Sequence, residues 1–279
     1  MGPLVSATWL LNRLHDPGTV IFDATLPAVG ATPPVDTRGR FQAAHIPGAV
    51  FFDIEGLSDH TTSLPHMLPS PEAFSRAMSE LGVGDGATIV VYEQEGVYSA
   101  PRARWMLRTF GVKEVYLLDG DLQAWRDAGL PVETGFSSRT PASFHATVDQ
   151  NAVQDFAQLE QCIAEHAQVL DARAQGRFSG RLPEPRPGLP SGHMPGAINV
   201  PYTELVEDGH LKSAAKLRAV FDEKGVDIML PITTTCGSGV TAAVVTLGLE
   251  IAGASQLRLY DGSWAEYAQH PKAVIEREL

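Results

Sequence analysis

A cysteine at the end of a β-branched run, followed by glycines and then an apolar helical pattern, is the part of this sequence best suited to chemistry. Thr233-Thr234-Thr235 leads into Cys236-Gly237-Ser238-Gly239-Val240-Thr241, and Ala242 to Gly248 continues as an apolar helix. Strand, cysteine, glycine turn and helix in that order turn the loop's backbone N–H groups inward around the sulfur, at a helix N-terminus. Both features stabilise negative charge on the sulfur, and the thiolate is the nucleophilic form. The same cradle suits an anion carried on that sulfur. The alternative is that Cys236 is a small buried hydrophobe, a common fate of free cysteines. The second cysteine, Cys162, lies in the helical pattern from Phe156 to Ala167 with no glycine turn, and reads as a core or half-buried helix residue.

The elements that must position Cys236 emerge from an internal repeat. His45-Ile46-Pro47-Gly48-Ala49 recurs 148 residues later as His193-Met194-Pro195-Gly196-Ala197, and Asp23 and Asp171, each closing a short apolar run, keep the same offset. Leu81-Gly82-Val83 ahead of Thr88 to Tyr92 matches Lys224-Gly225-Val226 ahead of Ile232 to Thr235 at an offset of 143. Asp119-Gly120 matches Asp261-Gly262 at 142, a drift that small loop insertions and deletions produce. A domain of roughly 130 residues, an ordinary size, has been duplicated. At the offset of 143, Glu93 stands where the second half has Cys236, so one copy carries a thiol and its twin a carboxylate.

Within each half, short β-rich runs alternate with helical patterns: Val20 to Phe22, Ile89 to Tyr92 and Val115 to Leu118, then Val169-Leu170, Ile232 to Thr235 and Leu257 to Tyr260. Such alternation predicts an α/β fold, a mostly parallel sheet flanked by helices in each half. Ser70-Pro71-Glu72 opens a helix that runs to Leu81. The stretch Pro131 to Asn151, rich in Ser, Thr and Pro, reads as a junction, giving domains over 1–133 and 152–279 with a linker at 134–151. Trp105, Trp125 and Trp264 lie in helical apolar patterns and are expected in the core. A second proline-rich stretch, Gly176 to Pro195, is long and irregular, as functional loops are.

Composition removes several classes. With 21 Lys+Arg against 33 Asp+Glu the formal net charge is −12, and no basic stretch with interleaved aromatics offsets it, so nucleic acid is not an expected partner. No run of eighteen apolar residues exists, which argues against a membrane-spanning helix. The N-terminal segment lacks the basic leader and long apolar core of a signal peptide, and a cytoplasmic location is expected. The nine histidines show no ligand spacing, so no metal and no cofactor are expected. A cysteine phosphatase would need an arginine six positions after the cysteine, and Ala242 is there.

The loop Cys236 to Thr241, the paired His-x-Pro-Gly-Ala segments, Asp171-Ala172-Arg173 and the cysteine-free first half together resemble the two-domain rhodaneses, over almost the whole chain. The loop sequence and Ser99-Ala100-Pro101-Arg102 are similar to those members that use 3-mercaptopyruvate, whereas thiosulfate-preferring members tend to carry basic residues after the cysteine. The resemblance implies two tandem rhodanese-like domains, the second one catalytic. It implies that Arg177 and Arg186 bind the substrate carboxylate, a task suited to a planar fork that stays charged. The bland alternative for both is a solvated loop arginine.

It further implies a two-step relay. The Cys236 thiolate attacks the substrate sulfur, pyruvate leaves as its enolate, and a persulfide remains, cradled by Gly237, Ser238, Gly239, Val240 and Thr241. A thiol acceptor such as thioredoxin, or cyanide in an assay, removes the outer sulfur and completes a ping-pong cycle. For the proton, the family account offers a serine, a histidine and an acid, which fall here on Ser238, His45 and Asp36. His45 shares its motif with His193, so both could instead only bond a turn. Thiosulfate as the donor, or a non-catalytic persulfide carrier, remain as alternatives.

Overall fold

The computed structural model describes residues 2–278, and the chain divides into two compact units. One takes in the chain up to Asp59, Leu68–Asp149 and Asp208–Leu211; the other takes in His60–Met67, Gln150–Glu207 and the chain from Lys212 onward. This division departs from the sequence boundaries in three places. Residues 60–67 group with the second unit, 208–211 group with the first, and most of the stretch read as linker belongs to the first. That stretch is strapped down by backbone hydrogen bonds, from Ala142 N to Ser79 O at 2.9 Å, Thr147 N to Phe110 O at 3.1 Å and Asp149 N to Thr109 O at 2.8 Å. Its backbone groups are satisfied by a folded surface, so it is not a free tether.

The first unit runs β1 (Leu4–Val5), α1 (Ala7–Leu11), β2 (Thr19–Asp23), α2 (Thr37–Ala43), β3 (Val50–Phe51), α3 (Pro71–Glu80), β4 (Thr88–Tyr92), α4 (Ala100–Thr109), β5 (Glu114–Leu118) and α5 (Leu122–Asp127). Its five strands pair in parallel in the order β1-β5-β4-β2-β3. The second unit repeats the plan with β6 (Val153–Gln154), α6 (Phe156–Ala164), β7 (Gln168–Asp171), α7 (Gln175–Phe178) and β8 (Ile198–Asn199). Two-residue strands follow, β9 (Val206–Glu207) in the second unit and β10 (His210–Leu211) in the first. Then come α8 (Ala214–Glu223), β11 (Ile232–Thr235), α9 (Val240–Ala252), β12 (Leu257–Tyr260) and α10 (Ser263–Tyr267). Its sheet, again parallel, has the order β6-β12-β11-β7-β8.

The sequence accounts for the elements. Burial on both faces suits the β-branched runs at β2, β4 and β11, each almost wholly buried, as parallel strands require. Ser70 caps α3 by accepting from Ala73 N at 3.2 Å, with Pro71 in the first turn. Trp125 and Trp264 are enclosed in the two cores, and Trp105 is also buried. Cys162 sits in α6, half-buried. The twin histidines show how closely the halves repeat. His45 Nδ1 bonds Phe41 O and His193 Nδ1 bonds Phe178 O, both at 2.9 Å, each ring stacked on that same phenylalanine. No helix among the described residues is long and apolar enough to cross a membrane.

Candidate active site

The loop after β11 starts at the carboxyl end of the central strand of the second sheet, the position where open parallel sheets place their ligands. β11 ends at Thr235, and its O accepts from Ala172 N at 2.9 Å, fixing where the chain leaves the sheet. Cys236 follows at 2% exposure. Gly239 caps α9 with φ of 78°, a left-handed conformation natural for glycine, so the chain swings at once into the helix. Val240 and Thr241 form the first turn of α9, whose N–H groups have no acceptor within the helix.

The loop is held from behind by the start of α10. Trp264 N donates to Cys236 O at 2.9 Å and Ala265 N to Gly237 O at 3.0 Å, while Cys236 N donates to Ser263 Oγ at 3.3 Å. Ser263 is fully buried with φ of 50°, a conformation rare outside glycine and asparagine. Strain of that kind persists only where the surroundings fix it, and it gathers at functional sites.

Two arginines of the loop 176–195 reach this turn. A methyl group placed on Gly237 would lie 3.0 Å from Arg177 Nη2 and 3.7 Å from Arg186 Nη1, so both guanidinium groups converge on the residue after the cysteine. Arg186 Nη2 also donates to Ser238 Oγ at 3.1 Å. Arg177 is gripped by the buried Glu184, through Nε to both carboxylate oxygens at 3.2 Å and Nη2 to Oε2 at 2.5 Å. Glu184 Oε1 takes a further bond at 2.9 Å from Arg173, which is buried against Trp264 and forks onto Asp171. Burial pulls the Arg173 guanidinium down, and Asp171 and Glu184 more than offset it, leaving it above the ordinary arginine value. Cys236, Ser238, Arg177 and Arg186 are thus brought together.

The bonds of His45 and Asp36 lie within the first unit. Besides its bond to Phe41 O, the fully buried His45 has Nε2 3.8 Å from the Glu133 carboxylate, the same arrangement His193 has with Glu276 at 3.7 Å. Such a ring fixes a turn. Asp36 caps α2, accepting from Gly39 N at 2.8 Å. The histidine at the site is His66, which the sequence reading passed over: its Nδ1 lies 2.9 Å from Ser238 Oγ, and the residue is 7% exposed. Its only local mark, a φ of 60°, is invisible in a sequence.

In the first unit the matching turn holds no thiol. Leu122 N donates to Glu93 O at 3.0 Å, as Trp264 N does to Cys236 O. The Glu93 carboxylate is surrounded by Tyr98 N at 2.7 Å, Ser99 N at 3.0 Å and Ala100 N at 3.1 Å, and by the Ser99 hydroxyl. Burial pushes the group up to about 7, against the pull of those donors.

The model of the rhodanese-like domain matches twice, over residues 6–128 and 155–270. The chain belongs to the rhodanese family. Similar rhodanese relatives include 3-mercaptopyruvate sulfurtransferase of Escherichia coli strain K12, 46% identical over 98% of this chain and 97% of that protein. The protein of that name from Homo sapiens is 42% identical over 98% and 94%. A thiosulfate sulfurtransferase of Cricetulus griseus is 39% identical over 95% and 91%. Among solved rhodanese folds, SseA from Escherichia coli superposes with a TM-score of 0.87 at 43% identity, covering 95% of this chain and all of that one. Tum1 from Saccharomyces cerevisiae gives 0.89 at 30% identity, covering 99% and 98%.

Proposed function

We propose that this rhodanese is a 3-mercaptopyruvate sulfurtransferase working through a persulfide on Cys236. The observation that carries the reading is the convergence of Arg177 and Arg186 on Gly237, immediately beside the cysteine. Two guanidinium forks at that point match a donor bearing a carboxylate and a neighbouring carbonyl, with the substrate sulfur directed at Cys236. The relatives named for this reaction, matched over nearly their full length, agree with it.

The Cys236 thiolate attacks the sulfur of 3-mercaptopyruvate. The new S–S bond forms as the carbon–sulfur bond breaks, and that bond's electron pair leaves on carbon as the enolate of pyruvate. Protonation of the enolate carbon completes pyruvate. Ser238 and His66 are placed to move that proton. Oγ accepts from Arg186 and keeps its own hydrogen for His66 Nδ1 when the ring is neutral; when the ring is protonated, Nδ1 donates to Oγ and frees the hydroxyl hydrogen for the substrate. The first-turn N–H groups of α9 face the charge that collects on the persulfide. A dithiol of the thioredoxin kind then takes the outer sulfur, and both cysteines being free suits a reducing, cytoplasmic setting.

Thiosulfate is the competing donor, favoured by the likeness to the Cricetulus griseus protein. Against it, Gly237 and Ser238 add no cation to the loop. The deciding experiment follows pyruvate release from 3-mercaptopyruvate with a dithiol acceptor, in parallel with thiosulfate turnover, on wild type and Cys236→Ser. Intact-mass analysis after donor alone is expected to show one added sulfur on the wild type only. Faster turnover of thiosulfate than of 3-mercaptopyruvate would overturn the donor assignment, and no turnover of either would leave a persulfide carrier.

A further inference from the structure

A buried carboxylate that bonds a site arginine is Glu184, whose side chain is only 2% exposed, and the transfer steps above give it no part. It occupies the Nε edge and one Nη of Arg177, the side on which an arginine makes its paired bonds to a carboxylate. The nitrogen Arg177 turns toward Gly237 is that same Nη2, so Arg177 meets a donor through a group already bonded to Glu184, with part of its charge met by a partner that cannot leave. Glu184 is itself pinned by Arg173, which Asp171 holds on its other side, so the grip on Arg177 is built from fully enclosed groups. In the sequence the five charges Asp171, Arg173, Arg177, Glu184 and Arg186 fall within one short stretch. Three are cations and two are anions, so the network presents a single net positive charge to whatever binds.

We propose that Glu184 sets the donor specificity: by holding Arg177 in one orientation and offsetting its charge, it matches the site to a donor with one permanently ionised group and disfavours a dianion. The inference rests on the sulfur-transfer reading above. The carboxylate of 3-mercaptopyruvate is one charge in a planar fork; thiosulfate carries two charges on a tetrahedral anion. Without the glutamate charge, a second negative charge on the donor gains an attraction the wild type withholds, and Arg177 is free to turn its full fork outward.

The test compares wild type, E184Q and E184D as full-length proteins, measuring kcat/KM for 3-mercaptopyruvate and for thiosulfate with cyanide as the common acceptor. E184Q is expected to raise the thiosulfate to 3-mercaptopyruvate ratio by about tenfold, the size of effect one partly screened unit charge has at close range. The 3-mercaptopyruvate arm is expected to change chiefly in KM. E184D keeps the charge but withdraws it by one methylene, and a shift of about threefold in the same ratio is expected. A purely structural role would lower both donors by one common factor, so an unchanged ratio in both variants overturns the proposal. If E184Q does not fold, as thermal unfolding would reveal, the E184D ratio alone decides in the same way. Failure of the underlying reading looks different: wild type would then gain no sulfur on Cys236 from 3-mercaptopyruvate.

Discussion

Ser238 has two partners, and removing its hydroxyl should separate into two measurable effects. Arg186 Nη2 lies 3.1 Å from Oγ and His66 Nδ1 lies 2.9 Å from it. In Ser238→Ala the guanidinium loses an acceptor, which at about 1 kcal/mol for one hydrogen bond predicts a fivefold rise in KM. The proton route is cut as well, and general acid–base catalysis of this kind is worth about 10² to 10⁴ in kcat. His66→Gln leaves the Arg186 bond intact, so kcat is expected to fall about 10² while KM stays near wild type. Because serine and histidine act as one unit, the double variant should be no slower than the worse single one, within about threefold. The assay is pyruvate release at saturating 3-mercaptopyruvate, with a rapid-quench measurement of the first turnover to isolate persulfide formation. Two results would refute the reasoning: wild-type kcat in His66→Gln, or single effects that multiply to about 10⁴ in the double variant.

Two further perturbations test other parts of the description. Glu93 sits above its ordinary 4.5, at about 7, so between those values the folded chain holds a proton that the unfolded chain has released, and stability falls as pH rises through that window. Urea midpoints of wild type and Glu93→Gln should therefore diverge in slope between about pH 4.5 and 7, by about 3 kcal/mol in total, and parallel curves would contradict the assignment. Gly237→Ala places a methyl 3.0 Å from Arg177 Nη2 at a position where φ is not positive, so the cost is steric and falls on the guanidinium. A rise in KM for 3-mercaptopyruvate of about threefold to tenfold at unchanged thermal stability is expected, and an unchanged KM would place Arg177 outside the binding event.

What could be read in the sequence was whatever repeats or is local. The offset between His45 and His193 announced two copies of one sheet, and the six longer strands lie where their β-rich runs stood. Four two-residue strands, at Leu4, Val50, Val153 and Ile198, are too short to carry periodicity and emerge only through pairing. The turn at Cys236 was legible because strand end, glycines and helix start fall within a few residues. His66 was not, because it is 172 residues from Ser238 in the chain and stands in a segment without pattern. The same physics keeps His45 and His66 apart from any sequence reading: a histidine that bonds a backbone carbonyl and one that bonds a serine hydroxyl look alike until their partners are seen. The strapped segment after Glu133 looked like a tether because composition reports the lack of regular structure, not the bonds to a neighbouring surface.

The first-unit turn invites comparison with a receptor whose ligand is permanently attached. Its three N–H donors are directed at the carboxylate of Glu93, a residue of the same turn. A tethered group competes at an effective concentration that dissolved anions do not reach. Any sulfur donor arriving there meets a saturated cradle, whatever its level in solution. The duplicate thus keeps a geometry that binds negative charge and fills it with a group of its own chain.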